Sequence, residues 1–285
     1  MRYYLAIFAT ICFYSTVEVV SVHIRGVDPN FLAFIRFLPP GLIFLCLSAR
    51  RFLRVTLIDF LALAGLGVIG VTGTFWAYHH SLGPLGLDAS IGAVIFSVNP
   101  VFCAVAGHFV LRESLSWLRL AGVALGFVGV FIVSFGFKVP TLESMEAPLL
   151  MFGAQICFAF YVTAGKRYVA RYGPLFVNGV IFTVGSLLFL PMIGEWGPVS
   201  SAQTAAWLAY LSVLATGLAY YLYFYGLNHV PIAAGTSVFY LKPVLASVLA
   251  MVVLNERLEQ NFYIGLGVIL VSLVLVIFRV RRQAR

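Results

Sequence analysis

Long apolar segments joined by short polar connections fill almost the whole chain. Each segment is about as long as the ~20 residues that a helix needs to cross a bilayer. Because lipid cannot satisfy unpaired backbone groups, continuous apolar segments of this length favour helices over barrel strands. The pattern predicts an all-α integral membrane protein with ten transmembrane helices. They lie near residues 3–22, 30–48, 57–79, 88–110, 117–136, 147–168, 175–193, 204–227, 231–253 and 261–279.

Part of the first half of the chain recurs in the second half. Asn99-Pro100 returns 143 residues later as Lys242-Pro243, and the sequence LRESL at 111–115 returns as LNERL at 254–258. Helices interrupted at matching positions of two halves are typical of secondary transporters, and they mark a binding site near the bilayer midplane. We therefore interpret Pro100 and Pro243 as helix breaks next to such a site.

Composition supports the membrane assignment. The chain is 62% hydrophobic and 10% charged, with a mean hydropathy of +1.02, whereas soluble domains have about 25% charged residues. The net charge of +8 would suit nucleic acid, but the basic residues lie in the short connections. This placement is the orientation pattern of membrane proteins, so no nucleic-acid partner and no large extramembrane domain are expected.

The distribution of Lys and Arg predicts the orientation. With a cytoplasmic N-terminus, 13 basic residues lie in inner connections and 3 in outer ones, which places both termini in the cytoplasm of a multi-pass protein of the cell (inner or plasma) membrane. Each half has five spans, an odd number, so the second half must cross in the opposite sense. The predicted domains are a first repeat at 1–138, an inverted second repeat at 147–280 and a basic cytoplasmic tail at 281–285.

These residues resemble the EamA repeat of the drug/metabolite transporter superfamily. The resemblance is carried by the run from Asp88 through Asn99-Pro100 to Glu113, and again by the run from Ile232 through Lys242-Pro243 to Glu256. The sequence FIRF at 34–37 is similar to the second-helix arginine motif of that family. The resemblance implies a secondary transporter built from two inverted five-helix repeats, and it implies no particular substrate.

Three ionisable residues fall inside predicted spans: Glu18, Arg36 and Lys242. Each costs roughly 2.5–3.5 kcal/mol on insertion scales, and such groups usually face the interior of the helix bundle. The equivalent positions of the other repeat hold uncharged residues. The two repeats are therefore similar in sequence but differ in their charges. Those equivalents are Thr163, Ile181 and Asn99.

Glu18 and Arg36 are predicted at similar depths, some 7–9 Å below the outer surface at about 1.5 Å per residue. Pairing is therefore possible. A structural ion pair is one interpretation, and a protonatable Glu18 that Arg36 releases during transport is another. In a third interpretation, neither residue faces the cavity.

Lys242 lies deeper, immediately before Pro243, which lacks a backbone donor. We predict that it binds an anionic group of the substrate; the alternatives are a structural partner for Glu18 or for a helix carbonyl, and a lysine that extends to the surface. Asn99, before Pro100, offers an amide at the equivalent place.

Aromatic and histidine side chains are further candidates, either as cavity lining or as an interfacial belt. Trp76, Tyr78 and Tyr221 are predicted to contact the substrate, with Tyr240 as a weaker candidate. His79 and His80 are candidates for proton sensing near neutral pH, or are simply solvated.

Other repeated features have structural interpretations. Gly122 and Gly126 predict close helix packing or dimerisation. Glu113 and Glu256 end equivalent helices and are expected to bond the amides of the following helix.

No ATP-binding, metalloprotease or serine-hydrolase motif is found in the sequence, so neither an enzyme nor a cofactor is predicted. The predicted function is a secondary transporter that exports small metabolites such as amino acids. Exchange of anionic metabolites or nucleotide-sugar-like compounds, and a non-transporting membrane scaffold, remain alternatives. The expected partners are a small-molecule substrate, with or without proton coupling, and the lipid bilayer, for a monomer or homodimer.

Overall fold

A computed structural model describes residues 2–24, 26–96, 98–111, 117–135, 142–196, 201–229, 239, 242–255 and 257–277. Within these ranges the chain is helical and contains no strand. Its α-helices are α1 (Arg2–His23), α2 (Pro29–Leu47), α3 (Leu57–Gly67), α4 (Thr74–Leu82), α5 (Ala89–Phe96), α6 (Asn99–Leu111), α7 (Trp117–Phe135), α8 (Leu142–Tyr172), α9 (Pro174–Leu187), α10 (Ala202–Ala209), α11 (Ala219–Leu227), α12 (Lys242–Leu254) and α13 (Gln260–Ile277).

The predicted all-helical, multi-span architecture is confirmed. Each of the ten predicted segments overlaps helix, and seven helical stretches in the described part of the chain are long and apolar enough to cross a membrane. Three further apolar helices are shorter, at Ala124–Val133, Val244–Leu254 and Gln260–Ser272. The number of ten crossings stays a prediction.

The predicted span that contains Pro100 is interrupted a few residues before the proline. The predicted span 88–110 is divided into α5, which ends at Phe96, and α6, which begins at Asn99. Pro100 therefore lies in the first turn of α6, where its missing N–H leaves no hydrogen bond unmade. In the second half, α12 begins at Lys242 with Pro243 next, and α6 and α12 are both 13 residues long.

The third span of each half contains a π-helical segment. Val68–Gly73 joins α3 to α4, and Tyr210–Leu218 joins α10 to α11. Such segments are uncommon and occur often at functional sites. Here the second segment contributes Thr216 to the interior of the bundle.

The equivalent helices α2 and α9 pack against each other in antiparallel directions. Near the start of α2, Asn30 Nδ2 donates to the carbonyl of Met192, beyond the end of α9, over 2.7 Å. At the opposite end, Leu47 and Pro174 line one shared cavity. Two helices that correspond in the repeat thus run in opposite directions.

The last helix of each half, α7 and α13, form a close pair that depends on glycine. A Cβ added to Gly265 would lie 2.8 Å from the carbonyl oxygen of Gly129. Ser272 Oγ donates to the Gly122 carbonyl over 2.6 Å, and Gly126 faces the same serine. The predicted close packing of Gly122 and Gly126 is therefore made within the chain.

Helix contacts are reciprocal between the halves. The first helix of the first half, α1, packs on α11 and α12, and its equivalent α8 packs on α4 and α6. The two halves consequently interlock along the centre of the bundle, where α1, α2, α4, α5, α8, α11 and α12 surround the candidate site.

Candidate functional site

A buried ion pair joins the two halves. Lys242 Nζ, in α12, lies 2.5 Å from Glu18 Oε1, in α1. The side chains are 3% and 0% exposed, so water screens this pair far less than a surface pair. The sequence allowed either Arg36 or Lys242 to pair with Glu18, and in the structure the partner is Lys242.

Arg36 does not pair with Glu18, which corrects that part of the sequence prediction. Its Nε donates to Thr216 Oγ1 over 2.8 Å, and its guanidinium carbon lies 4.8 Å from the ring centroid of Phe75 and 5.3 Å from that of Phe37. A guanidinium stacks well on aromatic faces, so this environment holds the charge without a carboxylate.

A cavity of about 20 Å³ lies between these groups. A water molecule needs roughly 10–15 Å³, so there is room for about one, whereas ligand pockets usually measure ~300–1,000 Å³. The site is therefore closed in this conformation. Its lining is formed by Tyr14, Val17, Arg36, Phe75, Tyr78, Phe96, Phe158, Tyr220 and Lys242.

Several polar atoms at this centre have no hydrogen-bond partner among the described residues. They are Glu18 Oε2, Arg36 Nη1, Tyr14 Oη and Tyr78 Oη. Since buried polar atoms are normally paired, Glu18 Oε2 and Arg36 Nη1 are the atoms best placed to receive polar groups of a ligand or of water. The two tyrosines interact with neighbouring side chains, Tyr78 with Glu18 and Tyr14 with Tyr220. Tyr78, a predicted substrate contact, lines the cavity.

The position of Lys242 at the start of α12 adds to the field at this site. Helix N-termini carry a partial positive charge, which stabilises nearby anions. Glu18 lies at this end of α12 because it bonds the first residue of that helix. The ring of Phe96, 4.6 Å from Nζ, covers the ammonium from another side.

Asn99 belongs to a neighbouring polar cluster rather than to the cavity lining. Cys103 Sγ donates to Asn99 Oδ1 over 3.1 Å. The Gln155 side-chain amide is oriented so that both its nitrogen and its oxygen form hydrogen bonds. The nitrogen donates to the Phe96 carbonyl over 3.2 Å, and the oxygen accepts from the Asn99 backbone N–H over 3.3 Å. Gln155 thereby supplies the donor that Pro100, four residues after Phe96, cannot provide.

The two clusters occupy equivalent places in the repeat. Glu18 and Lys242 lie on α1 and α12, and their equivalents Thr163 and Asn99 lie on α8 and α6, which pack together in the same way. Thr163 and Asn99 are fully buried and neutral. The centre therefore has one charged and one uncharged polar cluster.

The remaining candidates of helix α4 lie around the site rather than in it. His80 Nδ1 bonds the Trp76 carbonyl over 2.8 Å, and the two rings lie 4.7 Å apart. His79 is buried next to Phe75 and Tyr78, and neither of its ring nitrogens has a partner in the described part of the chain. Neither Trp76 nor either histidine lines the central cavity.

Tyr221 lines a second, larger cavity. This cavity, of about 670 Å³, lies between the end of α2, the junction of α8 and α9, and α11, and we refer to it as the α2–α9 cavity. Tyr221 and Tyr225 stack there with centroids 6.1 Å apart. Its lining comprises residues 46–51 and 172–176 with these two tyrosines.

Three of the predicted candidates lie outside the described residues: Tyr240, Glu113 and Glu256. Other contributors were missed by sequence reasoning. Thr216 and Tyr14 are common polar residues in apolar helices, and only the π-helical segment and the packing of the halves bring them to the centre.

The comparisons with known proteins agree with this architecture. The model of the EamA-like transporter family matches residues 1–135 and 145–278. An uncharacterized transporter of Clostridium kluyveri is 26% identical over 95% of this chain and 92% of its own length. YedA, an uncharacterized inner membrane transporter of Escherichia coli (strain K12), is 26% identical over 92% of this chain and 86% of its own.

Two further matches extend the comparison. A WAT1-related chloroplastic protein of Arabidopsis thaliana is 26% identical over 67% of this chain and 49% of its own length. One solved crystal structure matches with a TM-score of 0.71 at 20% identity, over 99% of both chains. At this identity the likeness establishes the fold alone.

Proposed function

Since the chain belongs to the EamA-like transporter family, we propose that it exports a small zwitterionic metabolite, such as an amino acid, across the cell membrane by alternating access. The observation that carries this proposal is the buried Glu18–Lys242 pair beside a closed cavity that Arg36 also lines. Both signs of charge meet there in a water-poor environment, which suits a ligand that carries both.

The charges at the centre are the basis for the proposed class of ligand. Glu18 contributes one negative charge, and Lys242 and Arg36 contribute two positive charges. A carboxylate between the two cations and an ammonium on Glu18 would complete the arrangement. Such hydrogen bonds between ionised groups are about twice as strong as neutral ones, and Arg36 Nη1 and Glu18 Oε2 have no other partner among the described residues.

The ion pair would also be the contact between the halves that breaks and re-forms during transport. Glu18 belongs to the first half and Lys242 to the second, so the pair holds the two halves together at the centre of the bundle. The antiparallel packing of α2 and α9 supports an inverted repeat, in which one half rocks against the other around a fixed site. A substrate that inserts between the two charges, or a proton that neutralises Glu18, would release the contact.

Flux through reconstituted protein tests the proposal. Purified protein in liposomes is assayed with a panel of labelled amino acids, with and without an imposed pH gradient. We expect uptake that Glu18→Gln and Lys242→Met abolish and that the control Arg54→Gln, a charge removal remote from the cavity, leaves intact. Flux accelerated by the pH gradient would support proton coupling through Glu18. Flux that does not depend on the gradient would mean that Glu18 only contacts the substrate and Lys242.

A second candidate function is exchange of a purely anionic metabolite. The net positive charge of the buried trio favours it, because Arg36 has no carboxylate partner in the described part of the chain. Accelerated efflux upon addition of an anionic substrate on the opposite side, with no flux of amino acids, would select this function. A folded protein that moves no solute at all would instead favour a scaffold.

A further inference from the structure

The α2–α9 cavity is a second concavity, separate from the central site, with both polar and apolar residues in its lining. Its volume of about 670 Å³ lies in the range of ligand pockets. It opens next to the connection between the second and third spans, where three arginines follow α2. By the distribution of basic residues, this connection is predicted on the cytoplasmic side.

Two of these arginines line the cavity, and no described carboxylate pairs with them. Arg50 and Arg51 are exposed and form no ion pair or side-chain hydrogen bond with any described residue. Asp59, the carboxylate that bonds the lining residue Tyr172 over 2.5 Å, is already paired with Arg171 over 2.6 Å. The cavity thus has a net positive lining.

The rest of the lining is amphipathic. Tyr221 and Tyr225 present a stacked aromatic wall whose hydroxyl groups bond no described residue. Leu47 is 68% exposed at the rim, and Ile43, one helical turn earlier on the same face of α2, is 53% exposed. An apolar strip therefore leads from the arginines toward the membrane core.

We infer that the α2–α9 cavity binds the phosphate headgroup of an anionic phospholipid of the cytoplasmic leaflet. Arg50 and Arg51 would hold the phosphate, the tyrosine hydroxyls would bond the glycerol and headgroup oxygens, and an acyl chain would lie along Ile43 and Leu47. Guanidinium forks match phosphate oxygens in geometry as well as in charge. Basic residues next to a span are a recognised basis for binding anionic lipid.

Lipid binding by the full-length protein in detergent tests this site. Phosphatidylglycerol, an anionic lipid, is titrated against phosphatidylcholine, a zwitterionic one, with retention measured by native mass spectrometry. We expect Arg50→Gln/Arg51→Gln to weaken phosphatidylglycerol binding about thirtyfold, because each such basic residue contributes roughly fivefold. Arg54→Gln, three residues away and outside the cavity lining, is the matched control and should retain wild-type affinity.

Three results would overturn the inference. An equal loss in Arg54→Gln would indicate diffuse surface charge, and equal binding of the two lipids would remove the role of net charge. Binding of soluble glycerol 3-phosphate as tightly as the lipid would reassign the cavity to a soluble anion. If the double variant fails to fold, the two single arginine variants test the same site, and each should weaken phosphatidylglycerol binding about fivefold. Tyr221→Phe/Tyr225→Phe should weaken it by a smaller factor.

Discussion

At the residue scale, the Glu18 carboxylate and the Lys242 ammonium form a buried ion pair with 2.5 Å between their atoms. Removing one member of a buried pair leaves an uncompensated charge, which costs far more than replacing both members with neutral groups. Stability and transport are therefore expected to respond differently to single and double substitutions.

We predict that Lys242→Met lowers the free energy of unfolding by about 3–5 kcal/mol, and that Glu18→Gln/Lys242→Met recovers most of it. Transport should be absent in both variants, since both lack the proposed substrate contacts. Chemical unfolding in detergent and flux in liposomes measure the two quantities. A double variant as unstable as the single one would show that the pair is not energetically coupled.

Arg36 depends on a neutral acceptor, and Thr216 supplies it. Thr216→Val keeps the side-chain shape but leaves the guanidinium Nε unpaired, which should cost about 1–3 kcal/mol. Thr72→Val is the matched control in the equivalent π-helical segment; it removes a 2.8 Å bond to the Gly185 carbonyl, where no charge is involved, and should cost about 0.5–1.5 kcal/mol. Thermal unfolding of the two variants compares them, and an equal loss would contradict the assigned role of Thr216.

The sequence was sufficient to select the charged residues of the site, but not their partners. Glu18, Arg36 and Lys242 stand out because charges are rare in apolar spans. Which of two cations pairs with Glu18 depends on how α1 meets α12, and this contact joins residues 224 positions apart. No local pattern contains that information.

At the element scale, the break between α5 and α6 depends on Pro100 and on the donor that replaces its N–H. We predict that Pro100→Ala offers a backbone N–H to the Phe96 carbonyl in competition with Gln155, and so favours a continuous helix. Transport should fall while the midpoint of thermal unfolding is unchanged or higher. Pro39→Ala, inside α2 and away from the break, controls for the loss of a helical proline, and a transport loss as large in that variant would refute the explanation.

The α7–α13 pair gives a second test of an element. A Cβ at Gly265 meets the Gly129 carbonyl at 2.8 Å, whereas a Cβ at Gly267 meets nothing within 4 Å. Gly265→Ala should therefore destabilise the protein by about 1–3 kcal/mol through overpacking. Gly267→Ala should be neutral, or stabilise by up to ~1 kcal/mol from the better helix propensity of alanine. The denaturant concentrations at which the two variants are half unfolded test this prediction. Equal midpoints would contradict the close packing of α7 and α13.

Helices and breaks differ in how visible they are in the sequence. Long apolar runs predicted the helices, whereas the repeated prolines were interpreted as breaks within spans, and the structure has α6 and α12 begin one residue before them. The π-helical segments escaped prediction because an i to i+5 hydrogen bond changes neither the length nor the apolar character of a span.

At the scale of the whole molecule, the duplication constrains the topology more strongly than any single helix does. The five spans predicted in each half require the halves to cross in opposite senses, and the antiparallel contact of α2 with α9 agrees with that prediction. Counting the predicted spans was enough to predict that the halves cross in opposite senses. The contacts that close the cavity could be seen only in the folded structure.

The inverted topology makes a prediction about accessibility. Pro84 and Asn228 are exposed residues after the third span of each half, separated by 144 positions and therefore equivalent in the repeat. With the four native cysteines replaced, Pro84→Cys should react with a membrane-impermeant thiol reagent only from the outside of the cell, and Asn228→Cys only in inside-out vesicles. Labelling of both from the same side would mean that the halves cross in parallel, and alternating access by inverted repeats would then be refuted even if the protein transports.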